Sequence, residues 1–287
     1  MPLRQTTGSV VCPSCGKLVG VNDPKCWECG RPYPGMFGYA PLFRRLGRDL
    51  GFVQIVTWSC VALFVATLIS DTSGIGGGGM LGILSPSRVS LIVFGAAGPG
   101  PVLGLGRWWT VLSAGWLHGG LIHILFNVLW IRQLGPQTAA VYGAGRMVII
   151  YVLASVTGFV ASSLAVFAPT VLRFVMGGGH PYSITVGASA AIFGLLGALI
   201  HYGRRGSSEV GRQAWIYAIV LFAFGLMIRG VDNWAHLGGL AGGWLVSRWL
   251  DPMKPERGDH LLLAIALLVA SLASVVASYV TGLRLLP

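Results

Sequence analysis

The sequence has few charged residues, which make up 10% of its 287 residues, whereas soluble domains carry about 25%. Apolar residues account for 54% of the chain, and the mean hydropathy is +0.72. This composition excludes an ordinary soluble domain. Apolar runs of about 20 residues cross a bilayer as helices, so the sequence predicts an all-α polytopic membrane protein with the lipid bilayer as a partner.

Acidic residues are the scarcest: nine Asp and Glu stand against 20 Lys and Arg, for a net charge of +11. The basic residues are scattered between apolar runs and form no single patch, so we expect no nucleic-acid partner. No acidic or basic residue falls clearly inside a predicted span. That shortage disfavours ion-coupled transporters and proton pumps, which rely on charged groups within the membrane.

Seven apolar runs are candidates for membrane-spanning helices. The fourth run is short, as expected for a helix whose first residues open into a water-filled cavity. The seven runs cover residues 52–70, 112–132, 147–168, 187–202, 213–229, 233–250 and 260–283.

Lysine and arginine divide unequally between the two sets of connecting segments. Fifteen of the 20 fall on the side of the N-terminus. Because basic connections stay in the cytoplasm, the N-terminus is predicted to be cytoplasmic and the C-terminus to lie outside. The five on the outer side are Arg88, Arg107, Arg173, Arg229 and Arg284.

Cysteines are few, and four of the five form two CxxC pairs, each followed by glycine and separated by ten residues. Glycine permits the tight turn that points backbone N–H groups at sulfur, and four thiolates close a tetrahedral zinc site. A disulfide pair and a redox motif are the alternatives. A cytoplasmic location disfavours the first, and the doubled motif disfavours the second. We therefore predict a structural zinc ion as cofactor, with Cys12, Cys15, Cys26 and Cys29 as ligands.

The chain accordingly divides into four parts. Residues 1–35 are predicted to form a small zinc-ribbon module, which resembles the ribbons at the ends of many bacterial proteins and has a cytoplasmic protein as its candidate partner. Residues 36–51 form a Pro/Gly-rich linker and a basic approach to the membrane surface. Six of the predicted spans lie within residues 52–250, and the seventh, one extra transmembrane helix, covers 260–283.

Polar side chains within the predicted spans are few. His123 and Asn127 are four residues apart, so both project from one face of the second span. Each can donate a hydrogen bond, which suits a site where negative charge develops on an oxygen. His118 precedes them in the same run.

Ser189 in the fourth run and His236 in the sixth each stand among small residues. Such surfaces let two helices approach closely, and a serine within reach of a histidine base is the pair needed for acyl transfer. Each residue also has a simpler interpretation. A serine in a membrane helix commonly bonds to the carbonyl one turn earlier, and a buried histidine can bond to a backbone carbonyl.

Three segments together resemble the rhomboid intramembrane serine proteases. "WLHGGLIHILFNVLWI" (116–131) is similar to their second transmembrane helix. "GASAAIFG" (187–194) is similar to their nucleophile helix, and "AHLGGLAGGWL" (235–245) to the helix that carries the base. The segments occur in the order of the family and fall on the second, fourth and sixth predicted spans.

The resemblance implies a rhomboid-like six-helix catalytic core over residues 52–250. It also implies a Ser–His dyad with no cofactor for catalysis. Ser189 is the implied nucleophile and His236 its general base. The backbone N–H of Ser189 and the side chains of His123 and Asn127 are the implied oxyanion hole. The residues implied to support the site are His118, Phe193, whose ring packs against the base, and Gly187, which begins the GxSG-like motif.

The implied activity is that of an intramembrane serine endopeptidase, a hydrolase that cleaves membrane proteins in or near their transmembrane segments through an acyl-enzyme. The expected location is a bacterial inner membrane. The alternative function is that of a proteolytically inactive relative that binds and routes membrane proteins.

Two positions depart from the family pattern. Ala190 replaces the usual glycine after the serine, which adds a methyl group beside the nucleophile. The Trp-Arg pair at the base of the long outer loop reads Trp109-Thr110, with Arg107 two residues before the tryptophan. We therefore expect the outer loop to be anchored differently. The glycine run at 177–179 carries no motif.

Overall fold

The computed structural model describes residues 4–13, 15–41, 47, 49–75, 84–228, 230–254 and 256–285. Most of these residues are helical, and a two-stranded sheet lies near the N-terminus. The predicted fold class, a helical membrane protein preceded by a small cysteine-bearing module, is confirmed.

The N-terminal module contains strands β1 (Ser9–Val11) and β2 (Leu18–Gly20), which pair antiparallel with Val10 opposite Val19. These strands belong to a small apolar cluster of their own, which consists of Val10, Cys12, Val19, Val21, Cys26 and Ala40. Of the predicted linker and surface approach over 36–51, residues 42–46 and 48 lie outside the described part of the chain.

The helices are labelled in chain order. They are α1 (Phe52–Ser70), α2 (Arg88–Phe94), α3 (Thr110–Ser113), α4 (Leu121–Tyr142), α5 (Ala144–Leu164), α6 (Thr170–Met176), α7 (Ser189–Gly203), α8 (Ser208–Met227), α9 (Asn233–Trp249) and α10 (Gly258–Gly282).

The second predicted span is wrong in its bounds. The helical stretch Thr110–Trp116 is separate from α4 and bent against it by 92°. The break includes Gly119 and Gly120, and glycine is a poor helix former. At its other end α4 continues through Pro136 to Tyr142, so Arg132 lies within the helix and not in a connection. His118 therefore lies in the break.

The other predicted spans correspond to α1, α5, α7, α8, α9 and α10. By length and composition alone, four helices of the described residues qualify as membrane spans, or five if the bent pair counts as one. At 1.5 Å per residue, the 15 residues of α7 extend over about 22 Å, less than the hydrocarbon thickness. This agrees with the expected short fourth span.

Helix α9 packs most extensively against α5 and α7. The contact depends on glycine: a Cβ atom at Gly239 would collide with the carbonyl oxygen of Ala190, and one at Gly243 with that of Gly194. Backbone meets backbone along this contact because no side chain lies between. The predicted smooth surfaces of the helices that carry Ser189 and His236 are thus in direct contact.

Helix α10 packs against α2, α3 and α5. The side chain of Arg107, which precedes α3, donates hydrogen bonds to the carbonyls of Ile92 and Ser278, each at 2.6 Å. The Trp109 indole donates to Ser278 Oγ at 3.2 Å, and the Trp116 indole to Ser271 Oγ at 3.2 Å. The segment that includes Arg107, Trp109 and Trp116 is thus anchored on α10 by side-chain hydrogen bonds.

Candidate active site

Two helix N-termini meet at one end of the bundle. Ser189 is the first residue of α7, and His236 lies in the first turn of α9. The Oγ atom of Ser189 lies 2.9 Å from Nε2 of His236, a hydrogen-bonding distance. The close backbone contact between α7 and α9 sets this separation. The structure therefore brings together the two residues expected to form a dyad.

The second nitrogen of the His236 ring also has a partner. Oδ1 of Asn233 lies 3.3 Å from Nδ1 of His236. Because a carbonyl oxygen can only accept, this contact favours the tautomer with hydrogen on Nδ1 and a lone pair on Nε2 facing Ser189. The contact of Asn233 with His236 was not predicted from the sequence. The spacing could have indicated it, because Asn233 lies three residues before His236 and both therefore lie on one face of the helix.

The ring of Phe193 stacks on that of His236, with centroids 4.4 Å apart and an angle of 15° between the planes. Phe193 lies one turn after Ser189 on α7 and is itself buried. The stack restricts rotation of the His236 imidazole.

His123 on α4 approaches the same point from a third helix. Its Nδ1 accepts a hydrogen bond from the backbone N–H of Gly119 at 3.3 Å, so in the neutral ring Nε2 carries the hydrogen. That Nε2 lies so close to Gly187 that a Cβ there would be 2.6 Å away. Gly187 also has a φ of +125°, which side-chain-bearing residues rarely adopt. Glycine is required there on both counts.

Asn127 is buried on α4. Its Nδ2 donates to the backbone carbonyl of His123 at 2.8 Å, one turn earlier on α4. The structure assigns it no hydrogen bond with Ser189. The second hydrogen of the amide remains for another acceptor, because an amide nitrogen has two.

His118 is buried in the break before α4, with its ring 5.2 Å from that of His123 at an angle of 63°. It contacts His123 edge to face, and neither of its ring nitrogens has a hydrogen-bond partner among the described residues. Its contact with His123 fits the expected supporting position.

Asp232 is a second polar residue that the sequence analysis missed. Its carboxylate caps α9 by accepting from the backbone of Trp234 at 3.0 Å, and it accepts from the hydroxyls of Ser162 and Thr185. Thr185 pairs with Ala97 in the segment before α7. Burial raises the pKa of Asp232, since desolvation disfavours the charged form more than these hydrogen bonds favour it. The Asp232 carboxylate thus connects α5, the segment before α7 and the start of α9 by hydrogen bonds.

The methyl group of Ala190 is completely buried in an apolar cluster with Ala97, Ala114, Phe159 and Ala235. It faces Gly158 of α5, where an added Cβ would approach it to 2.7 Å. The structure therefore accommodates the methyl group opposite a glycine, while the Ser189–His236 distance stays at 2.9 Å.

The four paired cysteines form a separate cluster in the N-terminal module. Their sulfur atoms all lie within 4.8 Å of one another, and Cys12–Cys29 and Cys15–Cys26 are each separated by 3.7 Å. Zinc–sulfur bonds of about 2.3 Å place the corners of a tetrahedron about 3.8 Å apart. The sulfur positions fit a metal ion with tetrahedral geometry, and no disulfide joins any two of these four cysteines.

The two cysteine turns are built alike. Gly16 and Gly30 have φ of +76° and +75°, and their N–H groups donate to the carbonyls of Cys12 and Cys26. The backbone N–H of Cys29 lowers the pKa of the Cys26 thiol to about 7 by stabilising the thiolate. Thiolate is the form that binds metal.

These groups supply the parts of an acyl-transfer site. A hydroxyl contacts an imidazole whose other nitrogen is held by an acceptor, and a ring N–H approaches the same point. The backbone N–H of Ser189 adds a donor, because the first N–H groups of a helix have no acceptor within it.

Comparisons with known proteins agree on one family. The family model described as Rhomboid domain matches residues 105–251, about half of the chain. Rhomboid protease GluP of Bacillus subtilis is 33% identical over 190 residues, which cover 65% of this chain and 34% of the relative. RHOMBOID-like protein 4 of Arabidopsis thaliana is 31% identical over 176 residues, which cover 57% and 39%.

Rhomboid-like protease 5 of Toxoplasma gondii is 32% identical over 174 residues, which cover 56% of this chain and 18% of the relative. The matched region thus spans less than half the length of each of these three relatives. The domain match includes Arg107, Ser189 and His236, whereas α10 lies beyond it. By this match, the chain belongs to the rhomboid family.

Proposed function

We propose that this protein is an intramembrane serine endopeptidase in which Ser189 is the nucleophile and His236 the general base. The observation that carries the proposal is the 2.9 Å contact between Ser189 Oγ and His236 Nε2. An inert buried serine would instead bond to a carbonyl of its own helix. The N-terminal position of Ser189 on α7 leaves no earlier helical turn to supply that carbonyl.

In the first step, Ser189 Oγ attacks the carbonyl carbon of the scissile peptide while its proton moves to Nε2 of His236. The imidazolium that forms is stabilised by Oδ1 of Asn233, which accepts from Nδ1–H at 3.3 Å. The carbonyl oxygen becomes an oxyanion and is bound by Ser189 N–H and His123 Nε2–H, with the free amide hydrogen of Asn127 as a further donor.

In the second step, His236 returns its proton to the leaving amine, the carbon–nitrogen bond breaks, and an acyl-enzyme remains on Ser189. A water molecule then gives a proton to His236 and attacks the ester carbonyl. The product acid leaves, and Ser189 recovers its proton. The dyad needs no charged partner for the base, because Asn233 orients the ring as a neutral acceptor.

The substrates we propose are membrane proteins cleaved in or near a transmembrane segment. In an intact transmembrane helix the backbone carbonyls accept hydrogen bonds from N–H groups of the same helix. The segment must therefore unwind locally before a serine can reach one of these carbonyls. Small or helix-breaking residues lower the cost of unwinding. Ser189 begins its helix and lies at an end of the bundle, where an unwound segment meets water.

The test is cleavage of single-span substrates by the protein reconstituted in vesicles, together with labelling by a serine-directed fluorophosphonate. We expect cleavage and labelling of the natural protein, and loss of both in Ser189→Ala. The matched control is Ser247→Ala, which removes a buried hydroxyl at the other end of α9. If the natural protein and Ser189→Ala gave the same absence of cleavage and labelling, the proteolytically inactive alternative would replace this proposal.

We further propose that the metal ion of the N-terminal module is zinc, held by Cys12, Cys15, Cys26 and Cys29 in a structural role. The module would lie in the cytoplasm and the C-terminus outside, as in a bacterial inner membrane. Arg146 begins α5 and Arg248 ends α9, so both lie at the opposite end from Ser189. Reporter fusions at the two termini test this orientation, and an external N-terminus would overturn it.

A further inference from the structure

The short helix α6 precedes the start of α7 and has an unusual surface. None of its seven residues is buried. Four of its apolar side chains are exposed: Val171 at 73%, Leu172 at 47%, Phe174 at 89% and Val175 at 52%. An apolar surface of this kind needs an apolar surrounding, which the bilayer supplies to a protein that crosses it.

The only charged side chain of α6 turns back onto the chain. Arg173 donates to the carbonyl of Gly179 at 3.2 Å and to the hydroxyl of Thr170 at 3.1 Å. The arginine thus fastens α6 to the glycine run that follows it and leaves the apolar side chains outward. Such a surface fits the interfacial layer of the bilayer at the Ser189 end of the bundle.

The glycine run wraps the start of the base helix. Gly177, Gly178 and Gly179 have φ of +69°, +71° and +66°, a conformation that favours glycine at all three. A Cβ at Gly177 would collide with the carbonyl oxygen of Val231, and one at Gly178 would lie 2.8 Å from the carboxyl of Asp232. The turn therefore follows the backbone directly before α9 with no space between.

One side chain connects this turn to the base. Asn233 donates from Nδ2 to the carbonyl of Met176, the last residue of α6, at 3.1 Å. Its Oδ1 lies 3.3 Å from Nδ1 of His236. The amide is planar, so the carbonyl of Met176 fixes the direction in which Oδ1 meets the imidazole. Asn233 is buried, and the bridge is shielded from water.

We propose that α6 is a membrane-seated element that positions the general base: bilayer contact with its apolar side chains holds the Gly177–Gly179 turn against α9, and Asn233 transmits that placement to His236. Asn233 is a positioning residue, because it touches the base and not the substrate. The effect on turnover rests on the proposed function, whereas the position of α6 in the bilayer and the hydrogen bond between Asn233 and His236 do not.

The kinetic test compares Val171→Asn with Ile69→Asn in vesicles. Ile69 is 74% exposed in the last turn of α1, at the same end of the bundle, but has no connection to Asn233. We expect Val171→Asn to lower kcat several-fold with little change in KM, and Ile69→Asn to leave both unchanged. Misplacement of a catalytic group by 1 Å costs up to about 100-fold, which bounds the loss expected for Asn233→Ala.

A double-mutant cycle distinguishes coupling of α6 to His236 through Asn233 from a general loss of folded protein. Asn233→Asp keeps an oxygen acceptor for Nδ1–H of His236 but cannot donate to Met176. In that background, Val171→Asn is expected to have no further effect on kcat. If the fold-losses in kcat from Val171→Asn and Asn233→Asp multiplied in the double variant, the two positions would act independently and the proposed coupling would be refuted. A loss of kcat in Ile69→Asn equal to that in Val171→Asn would refute it as well.

Two readouts remain informative even if no proteolysis is found. Nitrogen-15 spectra of His236 in vesicles should show hydrogen on Nδ1 in the natural protein and a changed signal in Asn233→Ala. A spin label on Val171→Cys should be reached by oxygen and protected from a water-soluble nickel chelate. A label in water, or an unchanged His236 signal, would overturn this inference. Absence of cleavage with both signals present would overturn only the proposed function.

Discussion

Arg107 donates a hydrogen bond to the backbone carbonyl of Ser278 at 2.6 Å, across 171 positions of the sequence. The same guanidinium bonds to the carbonyl of Ile92, which lies in α2. One buried side chain therefore joins the outer loop to the C-terminal helix. Helix α10 lies beyond the matched family domain, which ends at residue 251, yet it supplies half of this anchor.

Replacing Arg107 by glutamine should destabilise the protein. The shorter amide cannot reach both carbonyls, and each buried acceptor left without a donor costs about 1–3 kcal/mol. We expect a lower unfolding temperature in detergent and a loss of about 3 kcal/mol or more in the free energy of unfolding. Arg284→Gln, at an exposed arginine near the C-terminus, is the control, and equal effects of the two variants would refute the anchor.

Ala190→Gly tests whether the methyl group beside Ser189 affects catalysis. The methyl packs opposite Gly158 and leaves the dyad distance intact, so we expect cleavage to continue at a similar rate. Stability should fall by about 1 kcal/mol, the usual cost of glycine within a helix. Ala198→Gly, at a fully buried position of the same helix, provides the comparison. A large rise or fall in kcat for Ala190→Gly alone would show that the methyl group tunes the dyad.

Asp232→Ala should loosen the start of the base helix. It removes the cap of α9 and leaves the hydroxyls of Ser162 and Thr185 without their carboxylate acceptor. The loss of a cap costs about 1 kcal/mol, and the lost buried bonds add a similar amount. Asp71→Ala removes a comparable cap from an exposed turn at the end of α1 and should cost less. Calorimetry of the two variants checks this, and equal costs would contradict it.

Removal of metal should unfold the N-terminal module and leave the helical bundle folded. The described residues of the module form only a small apolar cluster, so we expect metal binding to supply much of its folding energy. We expect bound zinc by elemental analysis, its loss on chelation or acidification, and rapid proteolysis within residues 4–41 afterwards. Acid releases zinc because protons compete for the thiolates. Cys15→Ser should reproduce the loss, and Cys60→Ser, in α1, should not.

Resistance of the module to protease after complete chelation would refute this dependence. Persistence of zinc in Cys15→Ser at the natural level would show that the metal is held elsewhere. The sulfur separations of 3.7 Å make a disulfide-linked resting form inconsistent with this structure.

The sequence predicted the elements whose signal is local. Helix α1 has the predicted bounds, because its apolar run ends at Asp71, a polar residue next to a turn. The close contact of α7 and α9 was predictable from small residues alone, since their spacing produces a smooth surface on each helix. The cysteine pairs were equally local, because the CxxCG spacing determines its own turn.

What the sequence did not predict depends on contacts between distant residues. The partner of Arg107 lies in α10, and no spacing rule connects residues 107 and 278. The bend before α4 was not predicted, because hydropathy alone does not distinguish one long span from two apolar helices joined by a bend. Asn233 looked like an ordinary residue at a helix start, because its meaning depends on the carbonyl of Met176.

The glycine contacts between α7 and α9 have a mechanical consequence. A side chain placed between two helices can change rotamer and absorb a displacement, but a backbone pressed on a backbone cannot. Any enlargement at Gly239 or Gly243 is therefore expected to pass undiminished to the gap between Ser189 and His236. The contact between α7 and α9 therefore acts as a rigid joint, and the separation of Ser189 Oγ and His236 Nε2 is expected to have little freedom to adjust.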